Sequence, residues 1–241
     1  MSLTLIVSAY YKIPSKQPHS FYVPHLQRWF RSVRAPVIFF TSADVQAEIE
    51  SWGYPLTHVR FIVLPFEELN AWSLGREFWD RQKVRDPERY HTPELGAVWY
   101  EKKEFVRRAM DLVPEASIFI WCDAGCIRNE RSAAAARDFG TRHRIVDDLL
   151  HIQYSFPAPT QSRYRFPYRC IAGALMAGTR VAWRLHTKYY DAILKQYDQD
   201  EVPAIMDQYI IKSCIDAHPE AYAHDTPPPG TDPWFFFLWI L

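Results

Sequence analysis

The chain has 241 residues, a length that fits one or two domains and allows a large buried core. It contains 28 Lys and Arg against 28 Asp and Glu, so its formal net charge is zero. This balance argues against a protein that mainly neutralises phosphate backbones, and we expect no nucleic-acid partner. A content of 48% hydrophobic and 23% charged residues excludes a disordered chain.

Apolar runs alternate with amphipathic segments in the first third of the chain. The patterns predict strands and helices in turn, over Leu3–Ala9, Tyr22–Val33, Val37–Phe40, Val45–Trp52 and His58–Leu64. Strands that alternate with helices favour a parallel sheet with right-handed crossovers.

The middle of the chain predicts an insertion followed by a helix and a buried strand. Residues 66–98 are polar and aromatic, which is typical of short helices and loop. A helix is predicted over Tyr100–Val113, and the strand Ser117–Cys122 leads directly into Asp123-Ala-Gly125.

The C-terminal half predicts further helices and strands around a loop at 154–168 that is rich in Tyr, Pro and Arg. These elements are expected at Ser132–Arg137, Ile171–Ala177, Val181–Tyr197, Asp207–Ala217 and Tyr222–His224. With no internal repeat and no clean linker in the sequence, we expect one two-lobed α/β domain over residues 1–241.

The two ends of the chain bear on its location. The N-terminus lacks a basic region and is predicted to be a strand, not a signal peptide. The apolar run Trp234–Leu241 is far shorter than the about 20 residues of a membrane span. It is either a buried last segment or a tail that docks on a membrane surface or a partner. The absence of a Cys-x-x-Cys pair argues against zinc-ribbon and thioredoxin-like proteins, and Cys122 and Cys126 are expected to be buried free thiols. With no targeting signal in the sequence, we expect a cytoplasmic protein, membrane-peripheral if the tail docks.

Asp123 is the first candidate for a functional residue. Ligands of open α/β sheets collect at the carboxyl ends of strands, and Asp123 directly follows one. Its carboxylate suits a hard cation such as Mg²⁺ or Mn²⁺, and Gly125 allows close backbone approach to a ligand. The alternative is that Asp123 only caps a turn.

Other candidates lie farther along the chain. Asp207-Gln208 opens a helix, where the carboxylate either satisfies free N–H groups or faces an acceptor hydroxyl. His224 ends a strand before a Pro-rich loop and is either structural or a metal ligand. Lys103 lies on the helix before Asp123 and is either solvated or near a diphosphate, and the sequence does not distinguish it from Lys102.

Three arginines in the aromatic loop are candidates for a lid that binds phosphates, the alternative being a solvated loop. They are Arg163, Arg165 and Arg169. The sequence contains none of the motifs of P-loop NTPases, α/β-hydrolases, zincins or Rossmann dehydrogenases, which argues against those classes.

Two segments together resemble a known family. Lys103-Glu-Phe-Val-Arg-Arg-Ala-Met and Phe119-Ile-Trp-Cys-Asp-Ala-Gly125 resemble the HtrL/YibB family of GT-A-type glycosyltransferase-like proteins, as do Thr4–Tyr11 and Val37–Thr41. The resemblance implies a single-domain GT-A-like fold: a Rossmann-like, mostly parallel central sheet flanked by helices. About 1–125 would bind the nucleotide, and a smaller part at about 126–241 would hold the sugar and acceptor.

The resemblance also implies a nucleotide-sugar donor and a divalent cation, Mn²⁺ or Mg²⁺, as cofactor. The Asp-x-Asp motif of GT-A enzymes corresponds here to Asp123-Ala-Gly125, so one acid remains. His224, in a tail that is loosely similar to that of glycogenin-like transferases, would complete the metal site with Asp123.

The implied donor and acceptor residues are taken over position by position. The nucleoside would lie near the ends of the first strands, and the diphosphate near the single acid and the lysine helix. The donor-binding set is Ser8, Ala9, Tyr10, Thr41, Lys103, Asp123, Ala124, Gly125 and Gly173. Asp207 and Gln208 would act at the acceptor side, as catalytic residues.

The sequence therefore predicts a glycosyltransferase that moves a sugar from a nucleotide-sugar to an acceptor hydroxyl on a glycan or glycosylated molecule, with metal dependence through Asp123. The alternative is a non-catalytic module that binds a sugar or a partner on a degenerate glycosyltransferase fold.

Overall fold

A computed structural model describes residues 3–142, 145, 147–154 and 171–241 of the chain. Its centre is a seven-stranded sheet in the order β3-β2-β1-β4-β6-β5-β7. The strands are β1 Leu3–Tyr10, β2 Val37–Thr41, β3 Val59–Val63, β4 Ala116–Cys122, β5 Leu150–Tyr154, β6 Ile171–Thr179 and β7 Tyr222–Asp225.

Helices cover both faces of the sheet. They are α1 His19–Ser32, α2 Ala43–Ser51, α3 Arg76–Arg85, α4 Pro93–Leu112, α5 Glu130–Ala136, α6 Arg180–Gln199, α7 Asp207–Ala217 and α8 Phe237–Ile240. Helix α7 has the predicted bounds, and the elements of the first third lie within three residues of the predicted ones.

The sheet is parallel except for one strand. β1 pairs in parallel with β2 and β4, β2 pairs in parallel with β3, and β5 pairs in parallel with β7. β6 runs antiparallel to both β4 and β5. The predicted α/β class, with a mostly parallel central sheet flanked by helices, is therefore confirmed. Both halves of the sequence contribute strands to this one sheet.

Alternating side chains build two apolar layers, as expected for a sheet buried on both faces. On β1, Leu5 and Val7 face the layer of α4, α6 and α7, whereas Ile6 faces the layer of α1, α2, α5 and α8. On β4, Phe119 and Ile120 divide in the same way, and both are fully buried. The sheet therefore positions its strand ends rigidly.

Helix α4 begins seven residues before the predicted Tyr100, at Pro93. Thr92 caps it by accepting a hydrogen bond from the backbone N–H of Leu95 at 3.1 Å. Proline is favoured at the first helical position because its missing N–H needs no partner there. Pro93 is thus a helix start, and the predicted insertion of short helices and loop ends before residue 93 instead of at residue 98.

Two features of the C-terminal half of the sheet were not predicted. The strand β5 was missed, although its apolar residues Leu150, Ile152 and Tyr154 alternate with polar ones as in a half-buried strand. The antiparallel direction of β6 places its first residues, not its last, beside the end of β4, because Cys122 pairs with Leu175.

The apolar C-terminal run is part of the core. Phe236, Phe237 and Leu238 are fully buried. The carbonyl of Leu241 accepts hydrogen bonds from the backbone N–H groups of Gly140 and Arg142. Of the two alternatives for this run, the structure shows the buried segment. No helix in the described ranges combines the length and apolarity that a bilayer span requires.

Candidate active site

A cavity of about 500 Å³ opens at the edge of the sheet where the parallel strands end. β1 contributes Ala9 and Tyr10, and the segment after β4 contributes Asp123-Ala-Gly125. The antiparallel β6 starts at this edge and contributes Gly173, while α7 contributes Asp207 at its first position. This is the edge at which open α/β sheets bind ligands.

One face of α4 forms a wall of this cavity. Leu95, Val98, Trp99 and Lys102 all line it, and their spacing of three and four residues places them on one side of the helix. The first three of these residues belong to the helix only because α4 begins at Pro93. The predicted helix began at Tyr100 and therefore did not include them.

The ammonium of Lys102 lies between two carboxylates at the cavity floor. Its Nζ is 2.8 Å from Oδ2 of Asp207 and 3.3 Å from Oδ1 of Asp123, and it donates to the carbonyl of Gly173 at 2.9 Å. These three oxygens match the three N–H donors of an ammonium. We call Lys102, Asp123 and Asp207 the floor triad.

The members of the floor triad differ in exposure. The side chains of Lys102 and Asp207 are 5% and 6% exposed, whereas that of Asp123 is 34% exposed. Lys102 and Asp207 are therefore a buried pair, and Asp123 presents its carboxylate to the cavity.

The charges of the floor triad influence one another. Burial raises the pKa of Asp123 above its usual value, and the nearby Lys102 opposes this shift. Burial would lower the pKa of Lys102, but attraction to Asp123 and Asp207 outweighs it and raises that pKa. The ammonium therefore stays charged, and together the three side chains carry one negative charge when both carboxylates are ionised.

Trp121 fixes Asp123 from below. Its indole Nε1 donates to Oδ1 of Asp123 at 2.7 Å. The indole stacks on Phe105 with a centroid distance of 5.9 Å and an interplanar angle of 8°. The packed ring thus gives Asp123 one orientation, with Oδ1 engaged on the protein side.

Gly173 leaves room for Asp207. A Cβ at this position would lie 3.0 Å from Oδ2 of Asp207 and 3.4 Å from Ile211. The missing side chain lets the carboxylate approach the strand closely. Beside it, the amide of Gln208 donates to the carbonyl of Ile171 at 2.6 Å and ties the start of α7 to the start of β6.

Two predicted donor-binding residues lie beneath the cavity rather than in it. Ser8 is fully buried, and its hydroxyl donates to the carbonyl of Cys122 at 2.6 Å. Thr41 is also fully buried, and its hydroxyl donates to the carbonyl of Tyr10 at 2.7 Å. Both hydroxyls tie neighbouring strand ends together.

The predicted Lys103 faces away from the cavity. Its Nζ lies 3.0 Å from Glu104 and 2.9 Å from Asp191, and 3.7 Å from the ring centre of Tyr100. The sequence did not distinguish Lys102 from Lys103, and the structure shows that Lys102 lines the site. A predicted helix that began at Pro93 would have placed Lys102 on the same face as Leu95, Val98 and Trp99.

The structure does not bring His224 together with Asp123. His224 lies on β7, exposed, with its ring 4.9 Å from that of Tyr154. Strands β6 and β5 separate β7 from β4, and each strand adds about 4.8 Å. A single ion cannot contact both side chains across that distance.

The floor of the cavity does not fit the divalent cation that the resemblance implies. Such a cation needs several oxygen ligands. Here Lys102 already places a positive charge against both carboxylates, and Oδ1 of Asp123 is taken by Trp121. Within the described residues, no three His, Cys, Asp or Glu side chains are grouped so that they could hold a metal.

Arg128 is a cavity residue that the sequence did not single out. Its Nε donates to the carbonyl of Gly125 at 2.8 Å, and its guanidinium lies 5.3 Å from the ring centre of Phe235. The available signal for Arg128 in the sequence was its position five residues after Asp123. The predicted lid arginines at 163, 165 and 169 lie outside the described residues.

Aromatic rings line the mouth of the cavity. Tyr10 and Tyr22 have centroids 6.1 Å apart, and the hydroxyl of Tyr10 hydrogen-bonds to Nδ1 of His19 at 2.8 Å. Trp99 and Trp234 also line the cavity. Such rings offer flat surfaces for stacking a base or a sugar.

Comparisons with known proteins add similarity to solved structures. No protein-family model and no curated protein sequence matches the chain. The chain is similar to the crystal structure of a glycosyltransferase involved in the glycosylation of the major capsid of PBCV-1. The identity is 12% and the TM-score 0.44, over 92% of this chain and 81% of that one.

It is also similar to CMP:2-keto-3-deoxy-manno-octonic acid synthetase complexed with CTP. The identity is 13% and the TM-score 0.40, over 96% of this chain and 93% of that one. Both TM-scores are too low to indicate what this chain binds or does.

Proposed function

We propose that the chain is a glycosyltransferase that moves a sugar from a nucleotide-sugar donor to an acceptor hydroxyl. The observation that carries the proposal is the floor triad of Lys102, Asp123 and Asp207 at the strand-end cavity. Buried charge of this kind, aimed into a cleft, is typical of a catalytic site. The resemblance to GT-A-type proteins supplies the reaction class.

The cavity suits a small organic ligand in size and lining. Its volume of about 500 Å³ lies within the about 300–1,000 Å³ of ligand pockets. In the proposed arrangement the base and ribose lie beside Tyr10 and Tyr22, at the end of β1. The sugar lies near Gly173, where the strand presents backbone and no side chain.

Transfer breaks the bond between the anomeric carbon and the diphosphate oxygen and forms a bond to the acceptor oxygen. The leaving diphosphate keeps the electron pair of the broken bond, and the acceptor hydroxyl loses its proton. In an inverting reaction Asp207 orients the hydroxyl and accepts that proton. In a retaining reaction Asp207 stabilises positive charge on the sugar ring.

The charge of the leaving diphosphate requires a positive partner. The resemblance assigns this task to a divalent cation at Asp123 and His224, and the metal-dependent enzyme is the form that the sequence predicts. Because the floor residues do not fit such an ion, the proposal includes no step through a metal.

A thermal-shift screen tests the proposal. The protein is heated with a panel of nucleotide-sugars and nucleoside diphosphates, each with Mn²⁺, with Mg²⁺ or with EDTA. A ligand that binds the folded state raises the unfolding temperature. At a concentration one hundred times its dissociation constant, it adds about 2.7 kcal/mol to the free energy of unfolding. We expect one nucleotide-sugar to stand out, and released nucleoside diphosphate to appear when acceptor sugars are added.

Asp207→Asn serves as the matched variant, since it keeps the side-chain volume and removes the carboxylate that the proposed reaction requires at the acceptor. We expect it to abolish release of nucleoside diphosphate. A donor that binds without any release, with every acceptor tried, would favour the non-catalytic module. A chain that binds no nucleotide under any of these conditions would refute the proposal.

A further inference from the structure

We propose that Arg128 binds the phosphates of the donor and neutralises the leaving diphosphate, so that nucleotide binding needs no divalent cation. This inference rests on the proposed function and concerns the same cavity. It assigns the positive charge that the reaction requires to a side chain of this chain.

Lys102 does not supply that charge. Its ammonium donates to Gly173 and Asp207 at 2.9 and 2.8 Å and forms an ion pair with Asp123 at 3.3 Å, and its side chain is 5% exposed. A phosphate oxygen could reach the ammonium only by displacing one of these partners. With both carboxylates ionised, the floor triad as a whole carries one negative charge and does not attract a diphosphate.

Two cationic side chains remain on the described wall of the cavity, Lys16 and Arg128. The ammonium of Lys16 lies over the rings of Tyr90 and Trp99, 4.8 and 5.6 Å from their centres. That places it on the side of α4. Arg128 instead contacts the Asp123-Ala-Gly125 segment, where the resemblance implies the diphosphate of the donor.

Arg128 is held in place without using its outer nitrogens. Nε donates to the carbonyl of Gly125 at 2.8 Å, and the guanidinium lies over Phe235. Within the part of the chain that the structure describes, no hydrogen bond or ion pair is formed by Nη1 or Nη2 of Arg128. As far as the described residues are concerned, its two outer nitrogens are therefore available to a ligand in the cavity.

A fixed guanidinium suits a diphosphate for physical reasons. Its planar fork makes two parallel hydrogen bonds to phosphate oxygens, and these charge-assisted bonds are about twice as strong as neutral ones. Because the carbonyl of Gly125 orients the group, little entropy is lost on binding. When the sugar leaves, the negative charge that develops on the diphosphate lies against the same guanidinium.

Calorimetric titration tests the inference with inorganic pyrophosphate and with UDP, GDP, CDP, ADP and dTDP as probes. Each is titrated into the full chain in EDTA and again in Mg²⁺. We expect pyrophosphate and at least one nucleoside diphosphate to bind, with the same affinity within about twofold in EDTA and Mg²⁺. Arg128→Gln is expected to weaken this binding by about ten- to a hundredfold, the loss of a charge-assisted pair.

Two further variants distinguish binding through the planar guanidinium of Arg128 from binding through positive charge alone. Arg128→Lys keeps the charge without the planar fork, and we expect an intermediate affinity. Arg131→Gln removes the same charge three residues along, outside the cavity lining, and is expected to bind like wild type. Equal thermal midpoints of Arg128→Gln and wild type without ligand would show that the variant is folded.

The outcomes distinguish this inference from the proposed function. Binding that appears only with Mg²⁺, or that Arg128→Gln leaves unchanged, overturns the role of Arg128 while the glycosyltransferase proposal stands. The absence of any nucleotide or pyrophosphate binding, with and without Mg²⁺, overturns both.

Discussion

Replacing Lys102 by Met tests the floor triad most directly, because it removes the positive charge between the two carboxylates. Met has a similar length but no charge, so Asp207, 6% exposed, loses its 2.8 Å partner and Asp123 loses one at 3.3 Å. Removing one member of a buried ion pair costs about 3–5 kcal/mol, because an uncompensated charge stays behind. Since Asp123 is 34% exposed and partly solvated, most of the loss comes from Asp207.

The loss should depend on pH in a defined direction. Burial already raises the pKa of Asp123, and without Lys102 the shift becomes larger. Between the usual carboxyl pKa and the raised one, the folded state of the variant binds more protons than the unfolded state. Its free energy of unfolding therefore falls as the pH rises through that window. The part of the deficit that comes from Asp123 therefore shrinks on acidification through that window.

Urea unfolding of wild type and variants at about pH 7 and about pH 4.5 measures this effect. Lys103→Met is the matched comparison, because it also removes a buried ammonium. We expect a smaller loss there, since Glu104 keeps Arg107 at 2.7 Å and Asp191 is 47% exposed. Adding Asp207→Asn to the Lys102 variant should recover part of its loss.

A loss of less than about 1 kcal/mol for Lys102→Met would place the pair in the class of surface ion pairs and refute the argument. So would a loss that is the same at both pH values, or one that Asp207→Asn deepens.

Three further substitutions test other contacts in the structure. Gly173→Ala places a Cβ 3.0 Å from Oδ2 of Asp207, so we expect lower turnover with little change in helix content, measured by kinetics and circular dichroism. Trp121→Phe removes the 2.7 Å hydrogen bond to Asp123 but keeps a ring on Phe105, and denaturant unfolding should show a loss of about 1–3 kcal/mol. Burial raises the pKa of Glu101 to about 7 from its usual value near 4.5, so this group makes wild-type stability fall as the pH rises between those values. Glu101→Gln should flatten that slope in unfolding measured across the same range, and an unchanged slope would contradict the assignment.

The parallel half of the fold could be predicted from local pattern. Strands such as Leu3–Ala9 and Val37–Phe40 are short apolar runs between amphipathic segments, and the periods of the two element types differ. The position of Asp123 at the end of β4 follows from the same pattern, and the structure places it at the cavity.

The remaining features depend on pairings that no local pattern encodes. β5 has the alternation of a strand, with His151 and Gln153 between its apolar residues, but its place in the sheet is set by its pairing with β6 and β7. The direction of β6 decides that Gly173 lies beside Asp207, and strand direction is not written in a run of small residues.

The side chains that form the site could not be assigned from the sequence either. Lys102 and Lys103 are adjacent in sequence and both are buried, so hydrophobic periodicity cannot assign one of them to the cavity. The position of Pro93 as a helix start decides the matter, because it adds Leu95 and Trp99 to the face that holds Lys102. Arg128 follows a strand end by several residues, and its contact with Gly125 is a property of the folded loop.

A crystal structure with the donor selected by the thermal-shift screen tests most directly whether the cavity beside Asp123 binds a nucleotide-sugar. We expect the base near Tyr10, the diphosphate within hydrogen-bond distance of Arg128, and the sugar between Gly173 and Asp207. A donor seated outside this cavity, or one whose diphosphate has no contact with Arg128 and lies against a metal ion held by Asp123, would contradict this expectation.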